Sequence, residues 1–296
     1  MNERVVLKPR RVVRKKKSRF WKGFLVVLFA TTLTTLAIHA SDTFTIPGTS
    51  LFAGVGASAP AAHCSPEMTY VPQAGGGYCI DTFEVSTGDH CVFAHPTNES
   101  ETAADMRDTL CAAVSVKAKQ PWVNVPFQDA LAICAKSGKR LPTNKEWYRA
   151  ALGTPDAVRD DGGSDCALAR TGQTGADNTG ANTRCISSYG AYDMVGNVWE
   201  WVDGSVEHGT YAGKMLPNQG YVSGADVDGV PTESATDTVS AFGNDYLYIE
   251  KIGTRGMMRG GFWSLKEKAG IFTVNATIPT SFSGSALGFR CVKDAE

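Results

Sequence analysis

The clearest hydrophobic pattern in the chain predicts an amphipathic helix that begins near Pro126. Phe127, Leu131 and Cys134 recur at positions i, i+4 and i+7, so they share one face of a helix. Pro126 suits a first helical turn, and Gly138 stands where a left-handed cap belongs. The pattern therefore directs the Cys134 side chain towards a core.

A second helix is predicted in the stretch "TNKEWYRAALG", where Thr143 and Glu146 have the spacing of a capping box and Gly153 ends the pattern. The apolar positions of its buried side are Trp147, Ala150 and Ala151. Elsewhere, short apolar runs alternate with clusters of Gly, Asn, Asp and Ser, which is typical of short strands joined by loops. Two helices followed by a loop-rich sheet predict an α+β domain.

The N-terminal apolar run, residues 23–40, contains no acid, lysine or arginine, and about 18 such residues nearly cross a bilayer core. Residues 1–22 carry ten lysines and arginines against one acid, so the positive-inside rule places this tail in the cytoplasm. We therefore expect a basic tail, a single transmembrane helix and, over residues 41–62, a flexible linker of small residues. A cleaved signal peptide is the alternative.

The distribution of charge and of cysteines agrees with this membrane topology and predicts the environment of the rest of the chain. The formal net charge is −1, but without the basic tail it is about −10. The membrane segment accounts for the tail, so no nucleic-acid partner is expected. Residues 63–296 are expected outside the cell membrane, and all eight cysteines lie there, which predicts disulfides. Zinc is the weaker alternative, because no Cys-x-x-Cys occurs and the five histidines are scattered.

The stretches "YCIDTFEVS", "GKRLPTNKEW", "GAYDMVGNVWEWV", "RGGFW" and "LGFRC", in this order, resemble the formylglycine-generating enzyme domain of the sulfatase-modifying superfamily. The resemblance spans nearly all of the chain from Met68 to Cys291, and it implies a C-type-lectin-like fold of that type for residues 63–296. It also implies a disulfide between Cys134 and Cys291, since the family pairs cysteines at these two places. Proximity along the chain suggests the remaining pairs, Cys64–Cys79, Cys91–Cys111 and Cys166–Cys185.

The catalytic oxidases that this domain resembles hold copper with two cysteines, and the matching positions here are Leu265 and Gly270. Neither residue can replace the thiolate that Cu(I) needs. The related non-heme iron enzymes need a histidine-rich site, yet no histidine follows His208. We therefore expect no catalytic residues and no required cofactor.

The resemblance implies one further metal, a structural calcium ion in the turn "VGNVWEW". Its ligands would be the backbone carbonyls of Val195, Gly196 and Val198 and the carboxylate of Glu200, which are hard oxygen donors of the kind that calcium prefers. The alternative is a packed structural turn in which Glu200 binds backbone amides and the tryptophans are core. Both alternatives remain open.

The segment 259–291 resembles a second branch of this fold more closely, the variable proteins of diversity-generating retroelements. Such proteins end in a pattern much like "RGGxWxxxxxAGxFxxNxxxxxSxSxxxxGFR", and a reverse transcriptase that errs at adenines rewrites free positions within it. We call the matching residues the frame: Arg259, Gly260, Gly261, Trp263, Ala269, Gly270, Phe272, Asn275, Ser281, Ser283, Gly288, Phe289 and Arg290.

The residues between the frame positions agree with this resemblance. Asparagine codons randomised at both adenines encode Phe, Ser, Leu, Thr, Ile, Gly or Ala, but never Lys, Glu, Gln, Met or Trp. Eight positions obey this rule: Phe262, Ser264, Leu265, Thr277, Ile278, Phe282, Gly284 and Ala286. Three do not obey it: Lys266, Glu267 and Lys268. These eleven residues, with Thr280 and Ser285, are the variable positions.

The eight positions that obey the rule are expected to form one contiguous exposed face on the side away from the membrane, while Trp263, Phe272 and Arg290 pack inward or bind backbone. The sequence thus predicts a membrane-anchored, outward-facing, lectin-like protein that binds a protein or glycan on another cell, phage or host surface. The alternative is a catalytically altered member of the formylglycine-generating superfamily that acts on an exported substrate.

Overall fold

The structure, a computed structural model, describes residues 63–156, 165–168 and 172–295. The predicted tail, anchor and linker, residues 1–62, lie outside the described residues. Within the described ranges, no helix is long and apolar enough to cross a membrane.

Three α-helices occur in the described ranges: α1 at Glu99–Arg107, α2 at Phe127–Lys136 and α3 at Asn144–Ala151. Helix α2 starts one residue later than expected, because Pro126 occupies the N-cap position, and it ends before Gly138 at φ 67°. Helix α3 has the predicted capping box, in which Thr143 accepts from the backbone N–H of Glu146. Helix α1 was not predicted.

The strands are β1 Met68–Gln73, β2 Gly76–Asp81, β3 Ser86–Thr87, β4 Ala113–Val114, β5 Trp199–Glu207, β6 Thr210–Tyr211, β7 Lys214–Met215, β8 Gly220–Ala225, β9 Pro231–Ala235, β10 Tyr246–Ile249, β11 Thr254–Arg259, β12 Val274–Ala276, β13 Leu287–Phe289 and β14 Val292–Asp294. Short 3₁₀ turns occur at Ser240–Phe242 and Lys266–Lys268. The mixture of helices and sheet confirms the α+β prediction.

The main sheet has the strand order β7-β6-β5-β11-β12-β10-β8-β9, and β13 pairs with β5 in parallel. Smaller sheets have the orders β1-β2-β14 and β3-β4. Strands β11, β12 and β13 all come from the C-terminal segment that contains the frame. Because β5 pairs with both β11 and β13, it lies between the two ends of that segment and fixes them both.

Two large hydrophobic clusters flank the main sheet. The first packs α3 through Trp147 against Val202, Leu247 and Met257, all fully buried. The second packs α2 against the other buried aromatic residues, including Trp201, whose indole N–H donates to the carbonyl of Val125 at 2.9 Å. The sheet is therefore covered by helix on both sides of the strands that carry the frame.

All eight cysteines lie in the described ranges, and all are paired. The pairs are the four that the sequence suggested: Cys64–Cys79, Cys91–Cys111, Cys134–Cys291 and Cys166–Cys185. The Cys134–Cys291 bond joins α2 to the end of the frame across 157 residues. In the chain-entropy description, a loop of that length stabilises the fold by about 5 kcal/mol.

Candidate functional site

The end of the frame is fixed by a buried ion pair. Arg290 donates through Nε and Nη2 to both carboxylate oxygens of Glu200 at 2.6–2.9 Å. The indole N–H of Trp147 also donates to Glu200, at 2.6 Å. The remaining guanidinium N–H groups donate to the carbonyls of Asp81 and Tyr192. Arg290 therefore packs inward as predicted, and each of its three guanidinium nitrogens donates to an acceptor.

The start of the frame is fixed by side-chain bonds and by close packing. Arg259 is fully buried, donates to the carbonyls of Gly229 and Ile271, and lies over the Trp147 ring. Gly260 and Gly261 follow at φ 86° and 88°. A β-carbon at Gly261 would lie 2.5 Å from the β-carbon of Ala269, so both the backbone angle and the available space require glycine there.

The variable positions, in contrast, are held through their backbone. Five such bonds connect them to the rest of the domain: Gly256 N–H to Ile278 O at 3.0 Å, Phe127 N–H to Thr280 O at 3.1 Å, Asn124 N–H to Gly284 O at 3.0 Å, Trp199 N–H to Ala286 O at 2.9 Å, and Lys266 N–H to Leu168 O at 2.8 Å. None of these bonds uses a side chain of a variable position. These five contacts are therefore available to any residue other than proline at Lys266 and to any residue at the other four positions.

Six variable positions come together around one groove of about 340 Å³: Phe262, Ile278, Phe282, Gly284, Ser285 and Ala286. Its remaining lining comes from Trp199, Met258, Asn275 and Leu287. Phe282 is 44% exposed, whereas Phe262 and Ile278 are half-buried and pack against the second core cluster. The groove thus has a floor of core residues and a wall of variable residues.

The other variable positions lie outside the lining of this groove. Ser264 and Lys266 are exposed, and Leu265 packs its side chain against two core clusters. Lys268 places its ammonium 4.2 Å from the centre of the Tyr246 ring. Thr277 donates to the side chain of Asn275. Glu267 and Thr280 are half-buried. None of the thirteen positions is fully buried. The single exposed face expected for the eight positions that obey the codon rule stays a prediction.

Two frame residues differ from the expectation that they pack inward. Trp263 is half-buried, and its ring meets that of Phe262 edge-on, with 5.8 Å between the ring centres. Phe272 is also half-buried, although it contacts the rings of Tyr148 and Phe242. The expectation that Trp263 and Phe272 are fully buried was therefore wrong.

A row of tyrosines beside the groove was missed by sequence reasoning. The rings of Tyr221, Tyr246 and Tyr248 contact one another in series, and Tyr248 meets Trp199 at 6.1 Å. The alternation of Tyr246 and Tyr248 around buried Leu247 is a strand pattern that could have placed both tyrosines on one face. This row continues the aromatic lining of the groove across the main sheet.

The two positions that match the copper cysteines are filled differently here. A β-carbon at Gly270 would overlap the carboxylate of Asp245, which occupies the space where a cysteine side chain would stand. Leu265 is half-buried in apolar surroundings. No thiol is free, since every cysteine is in a disulfide. The copper ligand set of the oxidases is therefore not reproduced by these residues.

In the turn where the resemblance implies calcium, the carboxylate of Glu200 already forms an ion pair with Arg290. Both carboxylate oxygens of Glu200 accept from Arg290, and Trp147 donates to the same carboxylate, so its partners are side chains and not the backbone amides of the structural alternative. Among the described residues, the buried oxygens Asp193 Oδ1 and Glu84 Oε1 have no hydrogen-bond partner. Burial raises the pKa of Asp193 to about 7. The calcium site stays a prediction.

Comparison with known proteins places this architecture in a family. The profile described as "Sulfatase-modifying factor enzyme 1-like domain" matches residues 40–295, which is most of the chain. The chain belongs to this family. A formylglycine-generating enzyme of Thermomonospora curvata is 33% identical over 106 residues, which cover 30% of this chain and 35% of that enzyme. Across the first curated relatives, the chain spans 24% to 35% of their own length.

Two solved structures have partial similarity to this fold. The Major Tropism Determinant M1 variant has a TM-score of 0.42 at 19% identity, over 80% of this chain and 54% of that one. Treponema denticola variable protein 1 has a TM-score of 0.42 at 16% identity, over 79% of this chain and 93% of that one.

Proposed function

We propose that this chain is a ligand-binding protein of lectin-type fold, anchored in the cell membrane, whose variable positions are diversified by a retroelement and contact the ligand directly. The observation that carries this proposal concerns the segment from Arg259 to Cys291, in which the frame residues and the variable residues contact the rest of the domain through different groups. The frame arginines hold the segment through buried side chains, whereas the hydrogen bonds from the rest of the domain to the variable residues use their backbone groups. A segment built in this way accepts new side chains without a new fold.

The energetics of substitution support the same proposal. Replacements at exposed positions away from buried networks usually change stability by no more than about 0.5 kcal/mol. Replacements within a buried ion pair or at a glycine with positive φ cost several times more. Mutations at the exposed variable positions Ser264, Lys266, Phe282 and Ser285 would therefore change the binding surface while leaving most molecules folded.

The groove favours a protein over a glycan as the ligand. Its lining offers Asn275 and Ser285 as polar side chains and no charged side chain. Recognition of a sugar needs several hydrogen-bonding groups, because each buried hydroxyl must be paired. An apolar side chain on a protein loop needs only the contact surface that Trp199, Phe262 and Phe282 provide.

The enzymatic alternative has less support from the site. A catalytically altered oxidase would need a nucleophile, base or metal ligand at the groove, and its lining supplies one amide and one hydroxyl. The positions of the copper cysteines hold Leu265 and Gly270, with Asp245 packed against the latter. We therefore propose that the chain is not an enzyme and that no cofactor is required for binding.

The origin of the variable positions is tested by the surrounding DNA. We expect a neighbouring reverse-transcriptase gene and a near copy of the segment that encodes Arg259 to Arg290, with adenines at the codons of the variable positions. Sequencing of related strains should find substitutions at those codons and identity in the frame. Substitutions spread evenly over the frame and the variable codons would refute diversification.

The binding role is tested with a displayed library of extracellular proteins and a glycan array, screened against the purified chain. The Phe282→Ser variant alters the groove, and Val227→Ser is the matched control, because Val227 is 92% exposed and outside the groove. We expect a protein ligand that is lost in the first variant and retained in the second. A ligand retained equally by both variants would place binding elsewhere on the domain.

A further inference from the structure

A buried carboxylate lies at the base of the C-terminal segment, next to Gly270. Asp245 is fully buried, and its Oδ2 accepts from the backbone N–H of Phe272 at 2.6 Å. Its Oδ1 has no hydrogen-bond partner among the described residues. A buried carboxylate oxygen without a partner is costly, so its surroundings need an explanation.

A second carboxylate faces the same small volume. The point that a β-carbon would occupy at Gly243 lies 3.1 Å from Asp156 Oδ2 and 3.2 Å from Asp245 Oδ1. Glycine at this position is what leaves the space between the two oxygens open. The neighbouring Asn244 holds a third buried side-chain oxygen that lacks a partner in the described ranges.

The positive charge that the described residues supply does not balance this pair. Arg259 attracts Asp245 electrostatically, but its guanidinium donates to the carbonyls of Gly229 and Ile271 and to neither carboxylate. Burial raises the pKa of both aspartates, and the charge of Asp156 raises the pKa of Asp245 further. Within the described ranges, one guanidinium therefore faces two carboxylates, and a further positive charge would stabilise them if both are ionised.

We propose that Asp156 and Asp245 together bind a hard divalent cation, with calcium as the best match. Carboxylate oxygens with backbone carbonyls and water are the ligand set that calcium uses, at flexible distances of about 2.3–2.6 Å. The ion neutralises the charge that Arg259 leaves unbalanced.

An ion between Asp156 and Asp245 would connect two separate parts of the fold. Asp245 binds Phe272 of the frame, and Asp156 follows the turn after α3. A cation between them ties the end of α3 to the segment that continues towards the variable positions. The site is separate from the turn at Val195, and it does not depend on the proposed binding function.

The proposal is tested on the purified full chain after treatment with a chelator. Calcium chloride is titrated calorimetrically into the wild type and into the Asp245→Asn, Asp156→Asn and Asp237→Asn variants. Asparagine at 245 keeps a carbonyl oxygen for the Phe272 N–H, and Asp156 is only half-buried, so at least the second variant is expected to fold. Asp237 is an exposed aspartate in the preceding loop and serves as the matched control.

We expect the Asp245→Asn and Asp156→Asn variants each to bind one calcium ion fewer per chain than the wild type and the Asp237→Asn variant. Saturating calcium should also raise the melting temperature less in those two variants. Equal stoichiometry in all four chains, or no uptake by the wild type, overturns the proposal. So does a wild-type melting temperature that is unaffected by calcium and falls as the pH rises, since carboxyls with raised pKa values that share a proton lose stability in that direction.

Discussion

The frame and the variable positions occupy the same stretch of chain, yet the rest of the domain interacts with them through different chemical groups. Arg259 and Arg290 are held by their guanidinium groups, and Gly261 by the absence of a side chain. Thr280, Gly284 and Ala286 are held by their carbonyl oxygens. Because every amino acid has the same carbonyl, the second kind of contact does not depend on residue identity. A segment with a fixed backbone path can therefore contain positions whose hydrogen bonds do not constrain the side chain.

The largest expected effect comes from breaking the buried ion pair of the frame. The Arg290→Met variant leaves Glu200 buried without its partner, and we expect a loss of about 3–5 kcal/mol in the free energy of unfolding. Chemical denaturation of the wild type and the variant measures it. The double variant Glu200→Gln with Arg290→Met is the control, and it should lose less, since no charge is then left unpaired. A single variant as stable as the wild type would contradict the role assigned to Arg290.

The next prediction compares two tryptophans that touch different parts of the segment. Trp147 is fully buried between Glu200 and Arg259, so Trp147→Ala should cost about 3–5 kcal/mol, as large core truncations do. Trp263 is half-buried beside Phe262, so Trp263→Ala should cost about 1–2 kcal/mol, because less apolar area is lost. Denaturation midpoints of the two variants test the order. Equal losses would mean that Trp263 is a core residue, as the sequence alone suggested.

Sequence reasoning succeeded where local chemistry decides the structure. The capping box of Thr143 and Glu146, the left-handed Gly138 and the cysteine on the core side of α2 depend on residues a few positions apart. The frame was also predictable, because the family resemblance assigns its ends directly. Helix α1 was not predictable in this way, since only Thr102 and Asp105 are buried and no apolar periodicity marks it.

The groove itself could not be predicted from the sequence, because its parts meet only through long-range strand pairing. Trp199, Met258 and Leu287 come from three strands, and the pairing of β5 with β11 and β13 is what brings them together. The half-buried state of Phe262 and Ile278 has the same origin. Hydrophobicity alone suggested either a core or a surface, whereas these side chains contact the core on one side and the groove on the other.

The smallest expected effect distinguishes two glycines by the same substitution to alanine. At Gly261, the left-handed backbone and the contact with Ala269 predict a loss of about 1–3 kcal/mol. At Gly284, the nearest atoms to a new β-carbon belong to the Phe282 ring, at 2.9 Å, and that ring is partly exposed and can turn aside. We therefore expect Gly284→Ala to change the free energy of unfolding by no more than about 0.5 kcal/mol, as at other surface positions. Thermal and chemical denaturation of both variants provides the measurement. If Gly284→Ala costs as much as Gly261→Ala, the backbone path at the variable positions depends on residue identity, and the distinction between frame and variable positions is lost.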